Sequence, residues 1–406
     1  MLYANLTEKG EKTMKKMTVV VAFMSVFTIA ICFIILGSIS IELMKALQID
    51  AGRFGSLVMG LFLTSCIVQL FIGPSVDKFG YKPVAIIGFL VTSGGLFLLA
   101  FAPSFSLAML ASILLGIGAM CLNTVGNTLI PVVLFKGQDP ARASNFGNAF
   151  FGLGYVLTPL LLTFFLNTLS LSYSTSVSIF GALVLVFFVF ALATSFPQVA
   201  TGYKFSMAIK LLGNPAVLIA ALALFCYMSL ETTMGTWIKP LMTELFGKSQ
   251  SANAAANAGL VLSFFGVAMM IGRFLASTMK NLTAKGGTVL TLMSFISVIA
   301  IVIMIITKSP ALAIVAVVLA GLSFAPLFPT ITGVTFSKFS PNLYGSIFGI
   351  IFALGLLGGT FVPKFIGNMS VGRTVQGSLP IAAVMAGILF VISLFIAKVG
   401  RPAKTK

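Results

Sequence analysis

The stretch that decides the fold lies between two long apolar segments and reads Gly73-Pro74-Ser75-Val76-Asp77-Lys78-Phe79-Gly80-Tyr81-Lys82-Pro83. Glycines permit a tight turn. A carboxylate in such a turn can accept hydrogen bonds from a helix N-terminus or pair with a neighbouring base. Lysines beside it are typical of a cytoplasmic loop in a membrane protein. We therefore expect residues 73–83 to form a short loop between two membrane-crossing helices.

The composition of the whole chain predicts an integral membrane protein. Of its 406 residues, 59% are hydrophobic and 8% are charged, and the mean hydropathy is +1.12, whereas soluble proteins carry about 25% charged residues. A transmembrane helix needs about 20 apolar residues, and twelve runs of this kind are present. Their approximate bounds are 18–45, 53–74, 83–102, 106–133, 142–169, 173–196, 215–246, 255–280, 286–307, 310–337, 342–370 and 377–399.

The spans divide into two groups of six around the most polar internal segment. The expected order is a cytoplasmic tail, a six-helix bundle, a cytoplasmic linker, a second six-helix bundle and a cytoplasmic tail, at 1–17, 18–196, 197–214, 215–399 and 400–406. The halves echo each other weakly at an offset of 201 residues, since Phe151 and Gly154 match Phe352 and Gly355. The predicted fold is therefore all-α with two pseudo-symmetric bundles. Repeats of this kind place a substrate site between the halves, near the bilayer midplane.

The charge distribution predicts the orientation. Seventeen of the 25 lysine and arginine residues fall in the tails and loops on one side and seven on the other. The positive-inside rule then places both termini in the cytoplasm, and the expected location is the cell membrane. The net charge of +17 does not indicate nucleic-acid binding, because the basic residues are not clustered on one segment with interleaved aromatics.

Nothing in the sequence indicates an enzyme or a cofactor. Histidine, the commonest acid–base catalyst, is absent, and no nucleotide loop or nucleophile–base arrangement is visible. The four cysteines lie in apolar runs without metal-ligand or paired spacing, so neither a metal site nor a disulfide framework is expected.

Glu231 is the one acid committed to membrane depth among eight Asp and Glu residues. An ionisable group at such a depth marks a functional site by default. It can take up and release a proton, or coordinate Na⁺ as a hard oxygen ligand. The alternative is a structural acid paired with Arg273, and pairing and coupling do not exclude each other. Arg273 itself either bonds to carbonyls or recognises an anionic substrate.

A set of neutral polar and aromatic side chains suits a sugar. Amides offer both donors and acceptors to sugar hydroxyls, and an indole can stack on the apolar face of a sugar ring. Buried amides can equally join helices to one another, and Trp237 can equally be an interfacial anchor. The candidate set is Gln69, Asn123, Asn127, Asn148, Tyr227 and Trp237.

Residues 73–83 resemble the signature loop of the major facilitator superfamily. The resemblance implies that the motif gates the cytoplasmic side and does not touch substrate; its residues here are Gly73, Asp77, Lys78, Gly80 and Lys82. The counterpart in the second half, residues 276–286, lacks an acid. We therefore expect an asymmetric cytoplasmic lock.

Five further stretches are similar to the fucose, glucose and galactose–proton symporter family: 123–154, 225–237, 266–274, 328–331 and 345–363. The resemblance implies a twelve-helix sugar transporter. Where that family carries an acid in its fourth helix, this chain has Asn123, and only Glu42 corresponds loosely to the acid of the first helix. Glu231 is therefore the leading candidate for cation coupling, with Glu42 second.

The function expected is secondary active transport, by alternating access, of a small polar solute. A sugar is the expected solute, coupled to H⁺ or Na⁺, and the protein is expected to act as a monomer in the lipid bilayer. One alternative is an exporter or exchanger of an organic anion, drug or lipid that uses Arg273. Another is a membrane sensor on the same fold that transports nothing.

Overall fold

The structure is a computed structural model that describes residues 2–49, 51–197, 211–248, 254–370 and 373–396. Within these ranges the chain is helical and contains no β-strand. Twelve segments are long and apolar enough to cross a membrane, six before and six after residues 198–210, which confirms the predicted fold class. Most of the predicted linker 197–214 and the whole of the predicted tail 400–406 lie outside the described residues.

The first group of helices contains the first six spans. The membrane-crossing part of its first helix begins at Lys16, close to the predicted boundary. A π-helical turn at Phe164–Thr168 extends the sixth helix. The helices are α1 (Leu2–Ser38), α2 (Ser40–Leu47), α3 (Ala51–Phe79), α4 (Tyr81–Ala100), α5 (Phe105–Val133), α6 (Pro140–Thr163) and α7 (Tyr173–Ala193).

The second group contains the other six spans. One of these, Pro310–Phe336, is broken at Ala325 and Pro326 into two helices. The break follows from two prolines, since Pro326 and Pro329 have no N–H to donate to the carbonyl four residues earlier. The helices are α8 (Pro215–Lys248), α9 (Ala254–Thr278), α10 (Leu282–Ile306), α11 (Pro310–Phe324), α12 (Leu327–Phe336), α13 (Tyr344–Ser370), α14 (Val375–Ser378) and α15 (Pro380–Ile396).

The predicted loop at residues 73–83 is wrong. Helix α3 continues through Gly73 and Pro74 to Phe79, and α4 begins at Tyr81. Gly80 alone forms the turn, because its φ of 84° is a left-handed conformation that glycine adopts without strain. Asp77 is therefore held on the last turn of a helix and not in a loop.

The described residues form two compact units. The first contains Met1–Gln138, Leu153–Ala208 and Pro341–Gly349, and in it α5 packs on α1, α3 and α4. The second contains Asp139–Gly152, Ile209–Ser340 and Ile350–Lys406, and in it α10 packs on α11 and α15 while α8 packs on α9 and α15. Each unit therefore includes a short piece of the other group of helices: the start of α13 in the first unit and the start of α6 in the second.

Candidate functional site

Glu231 lies at the middle of α8, sixteen residues from either end of the membrane-crossing segment Pro215–Gly247. At 1.5 Å per residue, about 24 Å of helix separates it from each end. Its neighbours Leu230 and Met234 are buried, whereas the Glu231 side chain is 18% exposed. The carboxylate is therefore at membrane depth and still partly accessible.

Arg273 is the partner of this acid. The guanidinium lies on α9 and is 2% exposed, and its Nη2 donates to Glu231 Oε1 and to Tyr227 Oη, at 3.3 Å in each case. Tyr227 lies one turn before Glu231 on α8 and also hydrogen-bonds to its carboxylate. The ion pair considered from the sequence is thus formed, and it is buried on the arginine side.

The other donors of Arg273 are also used within the protein. Its Nη1 donates to the backbone carbonyl of Asn148 at 3.1 Å, and its Nε donates to that of Ala325 at 3.2 Å. The Ala325 carbonyl needs a donor because Pro329, four residues on, has no N–H. A guanidinium has five N–H groups, so four of them are engaged. Arg273 therefore joins α8, α9, α6 and the break between α11 and α12.

Two aromatic side chains contact the ion pair, and two more pack behind them. The Phe151 ring centroid lies 5.3 Å from Arg273 Cζ, within the range of a cation–π contact. Tyr227 stacks on Phe328 with 6.0 Å between centroids, and Phe328 meets Phe352 edge-on at 5.8 Å. These rings exclude water from the guanidinium, which strengthens its interaction with the acid.

Glycines of α13 allow that helix to approach the segment of α8 that carries Glu231. A Cβ added at Gly358 would collide with the backbone of Phe225, and one added at Gly355 would lie 3.2 Å from Leu224 Cβ. In the structure they pack α13 against α8.

Trp237 also links α8 to α13. Its indole N–H donates to the Pro363 carbonyl at 3.0 Å, and its ring packs against Gly367. The side chain is half-buried. The indole is therefore oriented by α13, about 9 Å along α8 from Glu231.

Three of the predicted amides form a cluster within the first unit. Gln69 of α3 donates from Nε2 to Thr124 Oγ1 at 2.9 Å, and Asn127 donates from Nδ2 to Asn123 Oδ1 at 2.9 Å. Within the described residues, Gln69 Oε1 and Asn123 Nδ2 are buried without a hydrogen-bond partner. The cluster thus both joins α3 to α5 and keeps one neutral acceptor and one neutral donor unsatisfied.

Asn148 and Glu42 lie apart from this cluster in the chain. Asn148 donates from Nδ2 to the Ser144 carbonyl at 3.0 Å within α6, while its own backbone carbonyl accepts from Arg273.

Glu42 lies in the first turn of α2, because the first predicted span is interrupted at Ile39. It is therefore placed beyond the membrane-crossing segment Lys16–Ser38 and not at depth.

Asp77 caps a helix of the other group. Its carboxylate accepts from the backbone N–H groups of Gly345 at 2.9 Å and Ser346 at 2.6 Å, at the start of α13. A Cβ at Gly73 or at Gly345 would collide with the backbone of the other glycine. An anion at a helix N-terminus is stabilised by the helix dipole. Residues 73–79 thus pack tightly on the N-terminus of α13, within the first unit.

Sequence reasoning missed the partners that complete these contacts. Ala325 and Phe151 carry no charge and gave no signal, although Pro329 marks the Ala325 carbonyl as an acceptor without a helical donor. Asp139 lies between the predicted spans 106–133 and 142–169, yet its carboxylate bonds to Thr283 at the start of α10. An acid immediately before the proline that begins a helix is the signal that pointed to it.

Comparison with known proteins places the chain in a family. The family model for the Major Facilitator Superfamily matches residues 21–363. Among curated proteins, "Bypass of stop codon protein 6" of Saccharomyces cerevisiae is 24% identical over 318 residues; the match covers 67% of this chain and 60% of the yeast protein's length.

Solved structures share the fold over nearly the whole chain. The transporter FucP in its outward conformation matches with a TM-score of 0.77 and 18% identity, covering 94% of this chain and 98% of that one. The human organic anion transporter MFSD10 matches with a TM-score of 0.70 and 16% identity, covering 95% and 99%. The chain belongs to the Major Facilitator Superfamily and is a multi-pass membrane protein.

Proposed function

We propose that this transporter moves a small, neutral, hydroxyl-rich solute, with a sugar as the expected class, and couples its movement to H⁺ or Na⁺ at Glu231. The observation that carries the proposal is the ion pair between Glu231 and Arg273 at the middle of α8, with the acid 18% exposed and the base 2% exposed. The acid is thus the more accessible member of the pair, which supports it as the group that binds the cation.

The pair provides two alternative states. When Glu231 is ionised, Arg273 neutralises it, and the buried charges compensate each other. When a proton or Na⁺ occupies the carboxylate, Arg273 loses its counter-charge and keeps only its bonds to neutral groups. Breaking a buried pair costs about 3–5 kcal/mol when one partner is removed, which is of the size needed to bias a conformational equilibrium. Cation binding and ion pairing at Glu231 are therefore competing events.

The amide cluster supports a neutral solute. An unsatisfied buried polar atom costs about 1–3 kcal/mol, and Gln69 Oε1 with Asn123 Nδ2 form one acceptor and one donor of this kind. A sugar carries several hydroxyl groups, each of which both donates and accepts, so it can satisfy an atom of either kind. Asn127 belongs to the same proposed solute-binding set of the first unit, and Asn148 and Trp237 stay predictions from the sequence.

The contacts of Arg273 count against direct recognition of an anion. Four of its five N–H groups are engaged by protein acceptors. An anionic solute would have to displace Glu231 from the guanidinium and leave the acid unpaired. We therefore assign Arg273 to holding Glu231. The likeness to the human organic anion transporter concerns the fold alone.

The orientation is proposed from the sequence. Lysine and arginine are concentrated in the loops and tails on the side of the two termini, so both termini are assigned to the cytoplasm and the protein to the cell membrane. The residue 197–214 boundary between the two groups of six helices remains a prediction.

A two-step experiment tests the proposal. A thermal-shift screen of the purified protein against sugars and carboxylates, with H⁺ and Na⁺ varied, identifies the solute, since a ligand of the folded state raises the midpoint. Uptake into proteoliposomes is then compared for wild type, Glu231→Gln and the control Glu244→Gln on the same helix. Glu231→Gln is expected to lose gradient-driven accumulation while it retains solute exchange, because exchange needs no net cation movement. Undiminished accumulation in Glu231→Gln would remove the acid from the coupling role, and stabilisation by carboxylates alone would favour the anion exporter.

A further inference from the structure

Asp139 caps the N-terminus of a helix that is distant in sequence. Its Oδ2 accepts from the Leu282 N–H at 3.0 Å, and its Oδ1 accepts from the Thr283 N–H at 3.0 Å and from Thr283 Oγ1 at 2.6 Å. Helix α10 begins at Leu282, and its own N-cap residue, Asn281, makes no side-chain cap hydrogen bond. The carboxylate of Asp139 therefore replaces the missing cap of α10.

A second ion from the same turn caps the preceding helix. Arg142 donates from Nε to the Ser277 carbonyl at 2.8 Å, in the last turn of α9. A cation at a helix C-terminus and an anion at a helix N-terminus both interact favourably with the helix dipoles. The start of α6 thus places a cation, Arg142, at the C-terminus of α9 and an anion, Asp139, at the N-terminus of α10.

Neutral contacts extend this match. The Ala141 N–H donates to Thr283 Oγ1 at 3.0 Å, and Asn145 Nδ2 donates to Thr330 Oγ1 at 3.0 Å. Gly333 of α12 lies so close that an added Cβ would collide with the Ala141 backbone. The contact is therefore an ordered interface within the second unit and not one isolated hydrogen bond.

This interface joins helices of the two different groups of six. Helix α6 belongs to the first group of six, and α9 and α10 belong to the second. On the proposed topology, in which each of the twelve spans crosses the membrane once, the end of the second span and the starts of the fifth, ninth and eleventh spans lie on the same membrane side. The contact of Asp139 with α10 and the contact of Asp77 with α13 therefore join the two groups on one side, and the first group supplies the acid in both. This explains how residues 276–286 can lack an acid.

We propose that Asp139 and Arg142 form a second latch, which holds this side of the transporter closed and must release α9 and α10 when the side opens. The latch is defined here as the contacts of Asp139, Ala141 and Arg142 with Ser277, Leu282 and Thr283. Alternating access requires contacts between the two groups to break on one side in each cycle. The proposal depends on neither the solute nor the coupling cation.

The competing explanation is that Asp139 only caps its own helix. Its Oδ1 also accepts from the Arg142 N–H at 3.3 Å. The variant Asp139→Asn separates the two roles, because asparagine is as good an N-cap as aspartate but loses the charge and places an amide donor where a carboxylate oxygen had accepted. Thr283→Val provides an independent variant that removes the hydroxyl at nearly constant volume.

The test measures the accessibility of a thiol beneath the latch. Ala276 is 7% exposed and packs with Ala141 and Leu282. Ala276→Cys is introduced into a background in which the native cysteines are replaced, namely Cys32, Cys66, Cys121 and Cys226. The rate of modification by a charged, membrane-impermeant maleimide then reports how often this side opens. The protein is full length, reconstituted in nanodiscs without added solute.

A matched control comes from Glu244. Its carboxylate also caps a helix N-terminus, accepting from the Val375 N–H at 2.8 Å, but α8 and α14 belong to the same group. Asp139→Asn and Thr283→Val are each expected to raise the labelling rate by about tenfold, a population shift of about 1.4 kcal/mol. Glu244→Gln is expected to leave it unchanged.

Two results would overturn the proposal. Unchanged labelling in both Asp139→Asn and Thr283→Val, with unfolding midpoints near that of the background, would mean that Asp139 serves α6 alone. An equal increase in Glu244→Gln would mean that the loss of any such cap loosens the protein generally. If Asp139→Asn does not fold, the labelling rate in Thr283→Val alone decides between the latch and the local cap.

Discussion

Arg273 Nη2 lies 3.3 Å from Glu231 Oε1, and the same guanidinium reaches the Ala325 carbonyl at the break between α11 and α12. Arg273 thus links the acid proposed to bind the coupling cation to an interrupted span of the second group, Pro310–Phe336. A change at Glu231 therefore changes the bonding of the residue that stabilises this break. This relationship is the physical basis of the proposed coupling.

Loss of Arg273 should destabilise the folded protein, because it leaves Glu231 as an unpaired buried charge. Arg273→Ala leaves Glu231 without a counter-charge and removes the donors to the Asn148 and Ala325 carbonyls, so the free energy of unfolding should fall by about 3–5 kcal/mol. The free energy of unfolding of Arg273→Lys should lie between those of wild type and Arg273→Ala. An ammonium keeps the charge but lacks the planar guanidinium that donates to several acceptors at once. Reversible unfolding in mixed detergent micelles measures both.

A double-mutant cycle isolates the pair itself. Once Arg273 is absent, replacing Glu231 by alanine should cost little or should restore stability, giving a coupling energy of about 1–3 kcal/mol. Additive effects of the two substitutions would show that the pair contributes nothing as a pair.

Gly358→Ala should separate α13 from the α8 segment that carries Glu231. The added methyl would meet the Phe225 backbone, and overpacking of this kind costs about 1–3 kcal/mol. Gly387→Ala on α15 is the control, because nothing lies within 4 Å of its added Cβ. A lower unfolding midpoint is expected only for Gly358→Ala. An equal change in the two variants would contradict the close approach of α13 to α8.

Asn123→Ala should weaken solute binding without loss of stability. It removes a buried donor that has no partner within the described residues. It also removes the Oδ1 acceptor of Asn127 Nδ2, but that amide keeps the Asn123 backbone carbonyl as an acceptor at 3.1 Å, so the unfolding midpoint should change little. The lost hydrogen bond to a hydroxyl is worth about 1 kcal/mol, or about a fivefold increase in Kd. Asn145→Ala is the contrasting variant, because Asn145 bonds to Thr330 and its loss should lower stability. Unchanged affinity in Asn123→Ala would exclude this amide from the solute site.

The fold could be predicted because it follows from length and hydropathy. Twelve apolar runs and one polar segment determine the number and grouping of the spans, and the bounds agree to within a few residues for most helices. The local breaks could not be predicted in the same way. Residues 73–79 look like a loop by composition, but Gly80 alone can turn the chain, and the break at Ala325 depends on how two prolines act together.

The candidate site could be predicted only as far as its charged members. Glu231 and Arg273 are detectable because ionisable residues are costly in a membrane. Their neutral partners, such as the Asn148 carbonyl and the Phe151 ring, carry no compositional signal. Asp139 was overlooked because an acid near a helix start is ordinarily a local cap, and only the folded chain brings it to Thr283.

The most direct test of the central claim is whether solute movement carries a cation through Glu231. Proteoliposomes loaded with a pH-sensitive or a Na⁺-sensitive dye receive the solute identified by the thermal-shift screen, with no initial cation gradient. In wild type and Glu244→Gln, downhill solute entry should be accompanied by entry of H⁺ or Na⁺. In Glu231→Gln, any downhill solute entry should give no cation signal, and exchange should continue when solute is present on both sides of the membrane. A cation signal in Glu231→Gln that keeps the wild-type ratio to solute would contradict the assignment of coupling to this residue.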